Sequence, residues 1–331
     1  MNLRFYTRVA RNYLHYHFGF PKPVLVGLRV TGRCNLNCNF CDVKNCRTKE
    51  IDTRTILKAI DSIDKGKVAF LTVTGGEPLM RKDFAIVSNK LGKSGLCVSL
   101  NTNGTLINDK NADLIADNYD IVRISIDGNE ELHDRIRGVQ GAFKKTREGV
   151  KLLLRKSRKS KICINCVITP ENLHCMEEVV REWGTLADSF SFMPVAHYSR
   201  GDAELYSSKK FLDDYNKICK KWKINQVKGF MKPDVRIGKK NCDAGKLYYH
   251  IMPDGNVTPC SNLLFGCNLG NICEEDFSDV IDKSLKSNQI KRINDCPGCF
   301  SRCTTEVSML MRKNPIQILS GMKDLLNKYK F

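Results

Sequence analysis

The sequence predicts an α/β fold, a partial (β/α)6 barrel followed by a small Cys-rich C-terminal domain. Three observations carry that expectation. Between Val24 and Val195, short β-branched runs alternate with loops and helical apolar patterns, the rhythm of a parallel sheet. Six such units are too few for the closed eight-unit barrel. After Val195 the rhythm stops, and from about Lys232 Gly- and Pro-punctuated pieces surround seven of the 16 cysteines.

Residues 1–23 read as a basic amphipathic helix, with Leu3, Phe5, Tyr6, Val9, Tyr13, Leu14, Tyr16 and Phe18 among Arg4, Arg8, Arg11 and His15. Such a helix suits either an open barrel end or an anionic membrane surface. The barrel is assigned to 24–230. Its strands are expected at 24–30, 68–74, 96–102, 121–126, 161–168 and 189–193, with helices at 53–63, 109–117, 143–154 and 173–183 between them. A Lys-rich helix is expected at 205–224. Residues 231–304, poor in apolar periodicity, are expected to lean on metal for stability. A second amphipathic helix, broken at Pro315, is expected over 305–331.

With 331 residues, 42% of them hydrophobic, the chain can bury a large core. The segment Met1–Phe20 has no uninterrupted apolar run, so no secretory leader is expected and a cytoplasmic address is. Clustered cysteines in that compartment imply metal ligation before disulfides. No stretch reaches the roughly 18 apolar residues of a membrane span, which leaves peripheral contact as the membrane option. The net charge of +18 admits nucleic acid, an anionic membrane, an acidic peptide or an acidic electron carrier as partners, or a merely soluble surface. The basic residues are spread out and form no stripe with interleaved aromatics, which argues against nucleic acid.

Chemistry concentrates at Cys34-Asn-Leu-Asn-Cys38-Asn-Phe-Cys41, directly after the first strand. Loops beyond the C-terminal ends of such strands carry the active sites of α/β sheets. Three thiolates this close can hold three irons of a cubane and leave the fourth open. Thr74-Gly75-Gly76-Glu77-Pro78 follows the second strand, Asn101-Thr102-Asn103-Gly104 the third, and Ser125-Ile126-Asp127-Gly128 the fourth, with His133-Asp134-Arg135-Ile136-Arg137-Gly138 beyond. In this order, over Val24 to about Val195, the motifs resemble those of the radical S-adenosylmethionine (SAM) superfamily.

That resemblance implies a [4Fe-4S] cluster on Cys34, Cys38 and Cys41, with SAM chelating the open iron and cleaved reductively to a 5'-deoxyadenosyl radical. It also implies SAM contacts at Gly75, Gly76, Glu77, Asn101, Thr102, Ser125 and Arg137, the two glycines admitting the methionine end of SAM.

Downstream, Cys242, Gly255, Cys260 and Cys296-Pro-Gly-Cys299-Phe-Ser-Arg-Cys303 resemble the SPASM or shorter twitch extension of the same superfamily. The resemblance implies one auxiliary [4Fe-4S] cluster on Cys242, Cys260 and two or three of Cys296, Cys299 and Cys303, with a second cluster the alternative. The spacing after Cys299 departs from the long form, and Cys267 and Cys273 either complete a second site or bind nothing. Paired cysteines with these gaps also suit a four-thiolate zinc ribbon. By contrast, Cys163 and Cys166 fall within a strand and face opposite ways, so they read as core, as do Cys97, Cys175 and Cys219. Cys46 fits either reading.

The expected protein is therefore a radical SAM enzyme served by a low-potential donor, a ferredoxin or flavodoxin. Its expected substrate is a peptide or protein side chain or a cofactor precursor. A lipid or isoprenoid at a membrane surface, or a nucleic acid, is the alternative.

Overall fold

In the computed structural model, which describes residues 3–41, 49–156, 160–194, 209–222, 242–260, 267–286, 307–308 and 311–312, the β-branched runs become strands within about two residues of their expected ends. These are β1 (Leu25–Arg29), β2 (Phe70–Thr74), β3 (Cys97–Thr102), β4 (Ile121–Ser125), β5 (Lys161–Ile168) and β6 (Ser189–Pro194). All six lie parallel in sequence order, as successive right-handed βα units require. The sheet stays open, with β6 at one end.

Alternation divides each strand between two faces. Val26, Leu28, Leu71, Val73, Val98, Leu100, Val122 and Ile124 pack under the helices in the main core. The intervening residues face the concave interior. Helices α2 (Thr53–Lys65), α3 (Phe84–Gly92), α4 (Ala112–Asn118), α5 (Glu130–Arg137), α6 (Ala142–Arg155), α7 (Met176–Trp183) and α8 (Lys209–Lys221) follow the strands. In α2, Ile56, Ala59, Ile60 and Ile63 recur at helical spacing on the buried face, and the Asp52 side chain caps the first turn by accepting from Thr55 N–H at 2.7 Å. Helix α4 begins later than expected because Asn108 and Asn111 close a local side-chain-to-backbone turn ahead of it. Leu173–Cys175 forms a 3-10 turn ahead of α7.

Helix α1 (Leu3–His17) lies across the N-terminal ends of the strands. Val9, Phe5, Tyr6, Tyr13 and Tyr16 pack on Val24, Ala69 and Leu247. Arg8 pairs with Asp64 at 2.5 Å and donates to Val68 O, while Asn12 donates to Pro23 O and Lys67 O.

The Cys-rich region departs from its expectation. Tyr248–Ile251 forms β7, parallel to β1 on the side away from β2, and β8 (Asn256–Thr258) and β9 (Gly270–Asn271) extend the sheet antiparallel. Every β7 residue is buried, and Tyr249 and Ile251 join Phe277, Val280 and Ile281 of α9 (Phe277–Lys286) in the main core. The segment thus shares the barrel's apolar core, and metal is not its sole support. Most of 305–331, and residues 205–208 and 223–224 of the expected Lys-rich helix, lie outside the described residues. Among the described residues no helix is long and apolar enough to cross a membrane.

Candidate active site

The loop carrying Cys34, Cys38 and Cys41 leaves the C-terminal end of β1, and three separate segments hold it. The first is the end of α5, where Ile136 and Arg137 carbonyls accept from Asn39 and Asn37 N–H at 3.1 and 3.0 Å. Gly138 ends α5 in the left-handed region (φ 68°), and a Cβ there would also meet Asn37 O at 2.4 Å. The second is the turn after β3: Asn103 donates to Asn35 at 2.9 Å and Asn35 donates to Thr105 at 2.8 Å. The third is the Gly75-Gly76 turn after β2, considered below.

Arg137 closes over the loop. Its Nε donates to Asp127 at 2.5 Å, its Nη1 lies 3.7 Å from Cys38 Sγ, and its guanidinium sits 5.4 Å from the Phe40 ring centroid. Asp127 is fully buried and also accepts from Val167 N–H at 3.0 Å. Burial pushes the Cys38 thiol up, and the adjacent Arg137 cation opposes that rise. Burial likewise raises the Cys34 thiol. Nearby His133 is held neutral, its pKa pushed down to about 4 by burial and by Arg137, while its Nδ1 accepts from Asp127 N–H.

Glu77 is fully buried. It accepts from Thr102 hydroxyl and Asn103 N–H, both at 2.7 Å, and from Leu79 N–H at 3.2 Å. Burial lifts its pKa to about 7 against those three hydrogen bonds. Thr102 therefore supports Glu77, and its hydroxyl also accepts from Gly104 N–H.

For Gly75 and Gly76 the structure supplies a partner that sequence reasoning did not. A Cβ on Gly76 would stand 2.2 Å from Arg33 O, and one on Gly75, whose φ is +154°, 2.4 Å from Thr31 O. Gly76 and Glu77 N–H donate to Thr31 and Arg33 carbonyls, each at 2.8 Å. The glycines thus let the backbone reach the segment leading into Cys34.

Asn101 and Ser125 stand near the C-terminal ends of β3 and β4. The Oδ1 of Asn101 and the Nη2 of Arg137 are buried without a hydrogen-bond partner. Of these, the guanidinium of Arg137 stands beside a thiol, with its Nη1 3.7 Å from Cys38 Sγ, and an unsatisfied polar atom there suits a polar ligand bound next to a cluster. Among the described residues no three His, Cys, Asp or Glu side chains are grouped to hold a single metal ion. Thiolates of a cubane each take a different iron, so Cys34, Cys38 and Cys41 remain suited to a cluster. Sequence reasoning also passed over Asn35, Asn103, Asp127 and Gly138 as site residues. All four lie inside the quoted motifs, and that membership was the available signal.

In the C-terminal region Cys242 and Cys260 are half-buried, and Gly255 makes the β7–β8 turn at φ +86°. Cys267 is buried in the main core and Cys273 is exposed beside Gly255. Cys46, Cys296, Cys299 and Cys303 lie outside the described residues. The barrel cysteines Cys97, Cys163, Cys166, Cys175 and Cys219 are all buried.

Comparison with known proteins agrees with this geometry. The radical SAM superfamily model matches residues 28–182, and the model of the SPASM iron-sulfur cluster-binding domain matches residues 242–304. The subtilosin biosynthesis protein AlbA of Bacillus subtilis is 28% identical over 284 residues, 80% of this chain, and the chain spans 61% of that protein's length. The AdoMet-dependent heme synthase of Oleidesulfovibrio alaskensis is 26% identical over 346 residues, covering 90% of this chain and 88% of that protein. The AdoMet-bound structure of anSMEcpe shares the fold, with a TM-score of 0.66 at 18% identity over 92% of this chain and 96% of that one.

Proposed function

The chain belongs to the radical SAM superfamily and carries a SPASM domain, and from that premise we propose that it cleaves SAM reductively to modify a peptide side chain or a cofactor precursor. The observation that carries the reading is the three-thiol loop clamped at the barrel mouth by α5, with Arg137 against Cys38. When bound, the [4Fe-4S] cluster supplies one electron to SAM, which yields the 5'-deoxyadenosyl radical. In this reading Cys34, Cys38 and Cys41 hold the cluster, and Arg137 offsets thiolate charge. Asn101 and Ser125 orient SAM, and the helix-covered barrel excludes water from the reacting atoms.

The names of the relatives support both substrate classes, one a bacteriocin biosynthesis protein and the other a heme synthase. One auxiliary cluster on Cys242, Cys260 and the Cys296 to Cys303 group is proposed, and an acidic ferredoxin or flavodoxin suits the +18 surface. Exposed Leu3, Leu14, Phe18 and Phe20 beside Arg4 and Arg11 favour, as a second reading, a lipid substrate reached at an anionic membrane. Co-sedimentation with phosphatidylglycerol vesicles separates that reading.

Anaerobic reconstitution followed by incubation with SAM and dithionite tests the chemistry. Wild type should release 5'-deoxyadenosine, and replacing Cys34, Cys38 and Cys41 together with Ala should abolish it. Undiminished release from the triple variant would end the proposal.

A further inference from the structure

Of the two cysteines on β5, Cys166 lies in the main core under the helices, whereas Cys163 stands outside it. Ile162 and Ile164 on either side of Cys163 pack in that core, so alternation turns the Cys163 side chain into the concave interior. It forms no disulfide and is 2% exposed. Its Sγ donates to Ile164 O at 3.7 Å and lies 3.9 Å from Arg123 Nη1.

Strand register places this thiol in a layer of polar side chains. Asn101 pairs with Arg123, Arg123 with Cys163, and Cys163 with Ser189. Ser189 also faces the interior, because Phe190 and Phe192 of the same strand pack in the core. It is 2% exposed and its hydroxyl has no hydrogen-bond partner; Asn101 Oδ1 is likewise buried and unpartnered. Orphaned polar atoms on both sides of Cys163 in one layer suit a polar organic molecule bound among them. The layer lies just inside the barrel mouth. Ser125 pairs with Asn165 two residues beyond the Arg123 and Cys163 pair, about 7 Å along the strands. Asn101, Arg123 and Ser189 hold their exchangeable hydrogen in N–H and O–H bonds, which a carbon radical breaks slowly. The S–H bond of Cys163 is weaker than the C–H bond that such a radical gains.

We propose that Cys163 is a catalytic hydrogen-atom donor, which returns a hydrogen to the substrate radical after the 5'-deoxyadenosyl radical has taken one. The proposal rests on the radical SAM reading. The S–H bond breaks, a C–H bond forms on the substrate, and a thiyl radical remains on Cys163. One electron from the low-potential donor and one proton from water then restore the thiol. The Arg123 cation beside the sulfur favours that electron's arrival, because it makes a thiolate before the proton follows. One hydrogen leaves the substrate and one returns, so the reaction class is an isomerisation or a cleavage, not a dehydrogenation.

Deuterium tests this in the reconstituted full-length chain, given SAM and dithionite in deuterated buffer with no added substrate. The 5'-deoxyadenosyl radical then stands in for the substrate radical, and the exchanged S–D bond of Cys163 should leave one deuterium in 5'-deoxyadenosine. Cys163→Ser keeps an exchangeable hydrogen, now in a stronger O–H bond, so its 5'-deoxyadenosine should carry at least about fivefold less label. Cys163→Ala should behave the same way. Cys166→Ala in the core and Cys97→Ser, four residues deeper on β3 than Asn101, should keep the label of wild type. Circular dichroism and iron content matched to wild type certify each variant, and the wild-type label is read even where a variant fails to fold. A second measurement needs no turnover: methyl methanethiosulfonate, followed by peptide mass spectrometry, should modify Cys163 at least about tenfold faster than Cys166.

Unlabelled 5'-deoxyadenosine from wild type, label that persists in Cys163→Ser, label that is lost in Cys97→Ser, or a Cys163 no more reactive than Cys166 would each overturn the assignment. No 5'-deoxyadenosine at all would instead strike the function proposed above, and the modification rates would still decide whether Cys163 opens to the interior.

Discussion

Replacing Arg137 with Ala tests whether the clamp over the cysteine loop is as stabilising as its geometry implies. Asp127 has no solvent exposure, and Arg137 is its charge partner at 2.5 Å. Removing one member of a buried pair strands the other, at a cost of about 3–5 kcal/mol. The contact with Phe40 adds about 0.5–2 kcal/mol. Because Asp127 retains the Val167 N–H, the low end applies and the expected total is about 4 kcal/mol. For a chain this long that lowers the melting temperature by roughly 8 °C, at about 2 °C per kcal/mol. Urea unfolding followed by far-UV circular dichroism reads the loss as a midpoint shift at constant slope. Adding Asp127→Asn removes the stranded charge, so the double variant should regain at least about half of the loss. A loss below about 1 kcal/mol, or a double variant as unstable as the sum of its singles, would refute the account.

Two further outcomes follow from the same site and one from the C-terminal cysteines. Gly76→Ala puts a methyl 2.2 Å from Arg33 O, so reconstituted iron should fall together with SAM affinity; normal iron with weakened SAM binding would return the glycine to a pure ligand contact. Glu77 carries a folded-state pKa of about 7 against an ordinary 4.5. Its contribution to stability is full below the ordinary value and is lost as pH rises through about 7. The metal-free wild type should therefore lose about 3 kcal/mol from this group across that window, and Glu77→Gln should flatten the profile; parallel wild-type and variant profiles in urea would contradict this. Changing Cys242, Cys260, Cys296, Cys299 and Cys303 to Ala should remove about four irons per chain for one auxiliary cubane and about eight for two, whereas iron equal to wild type would show that none is held there.

The barrel was legible because its signal is local. In β1 to β6, β-branched and apolar residues alternate or run together within each strand, and the helices between them repeat every three to four residues. Strand β7 escaped because Tyr248, Tyr249, His250 and Ile251 sit among Cys, Gly and Pro, and their partner is β1, far away in sequence. Pairing at that distance leaves no mark in local periodicity. The motif glycines show the same limit at the site: Gly75 and Gly76 marked a close approach, but which backbone approaches is a tertiary fact. Asp127 likewise read as a motif letter until burial showed it to be the anchor of Arg137.

The clamp on the cysteine loop also sets an order in time. Asn37 and Asn39 rest on the carbonyls of Arg137 and Ile136. At about 5–20 residues per second, a ribosome emits the thiols roughly 5–20 s before the helix end that shapes them. β7, the strand flanking β1, emerges later still. On the proposed cluster-binding reading, the loop in that interval is an unshaped set of thiols, and a cluster delivered after release of the finished chain meets a loop already shaped.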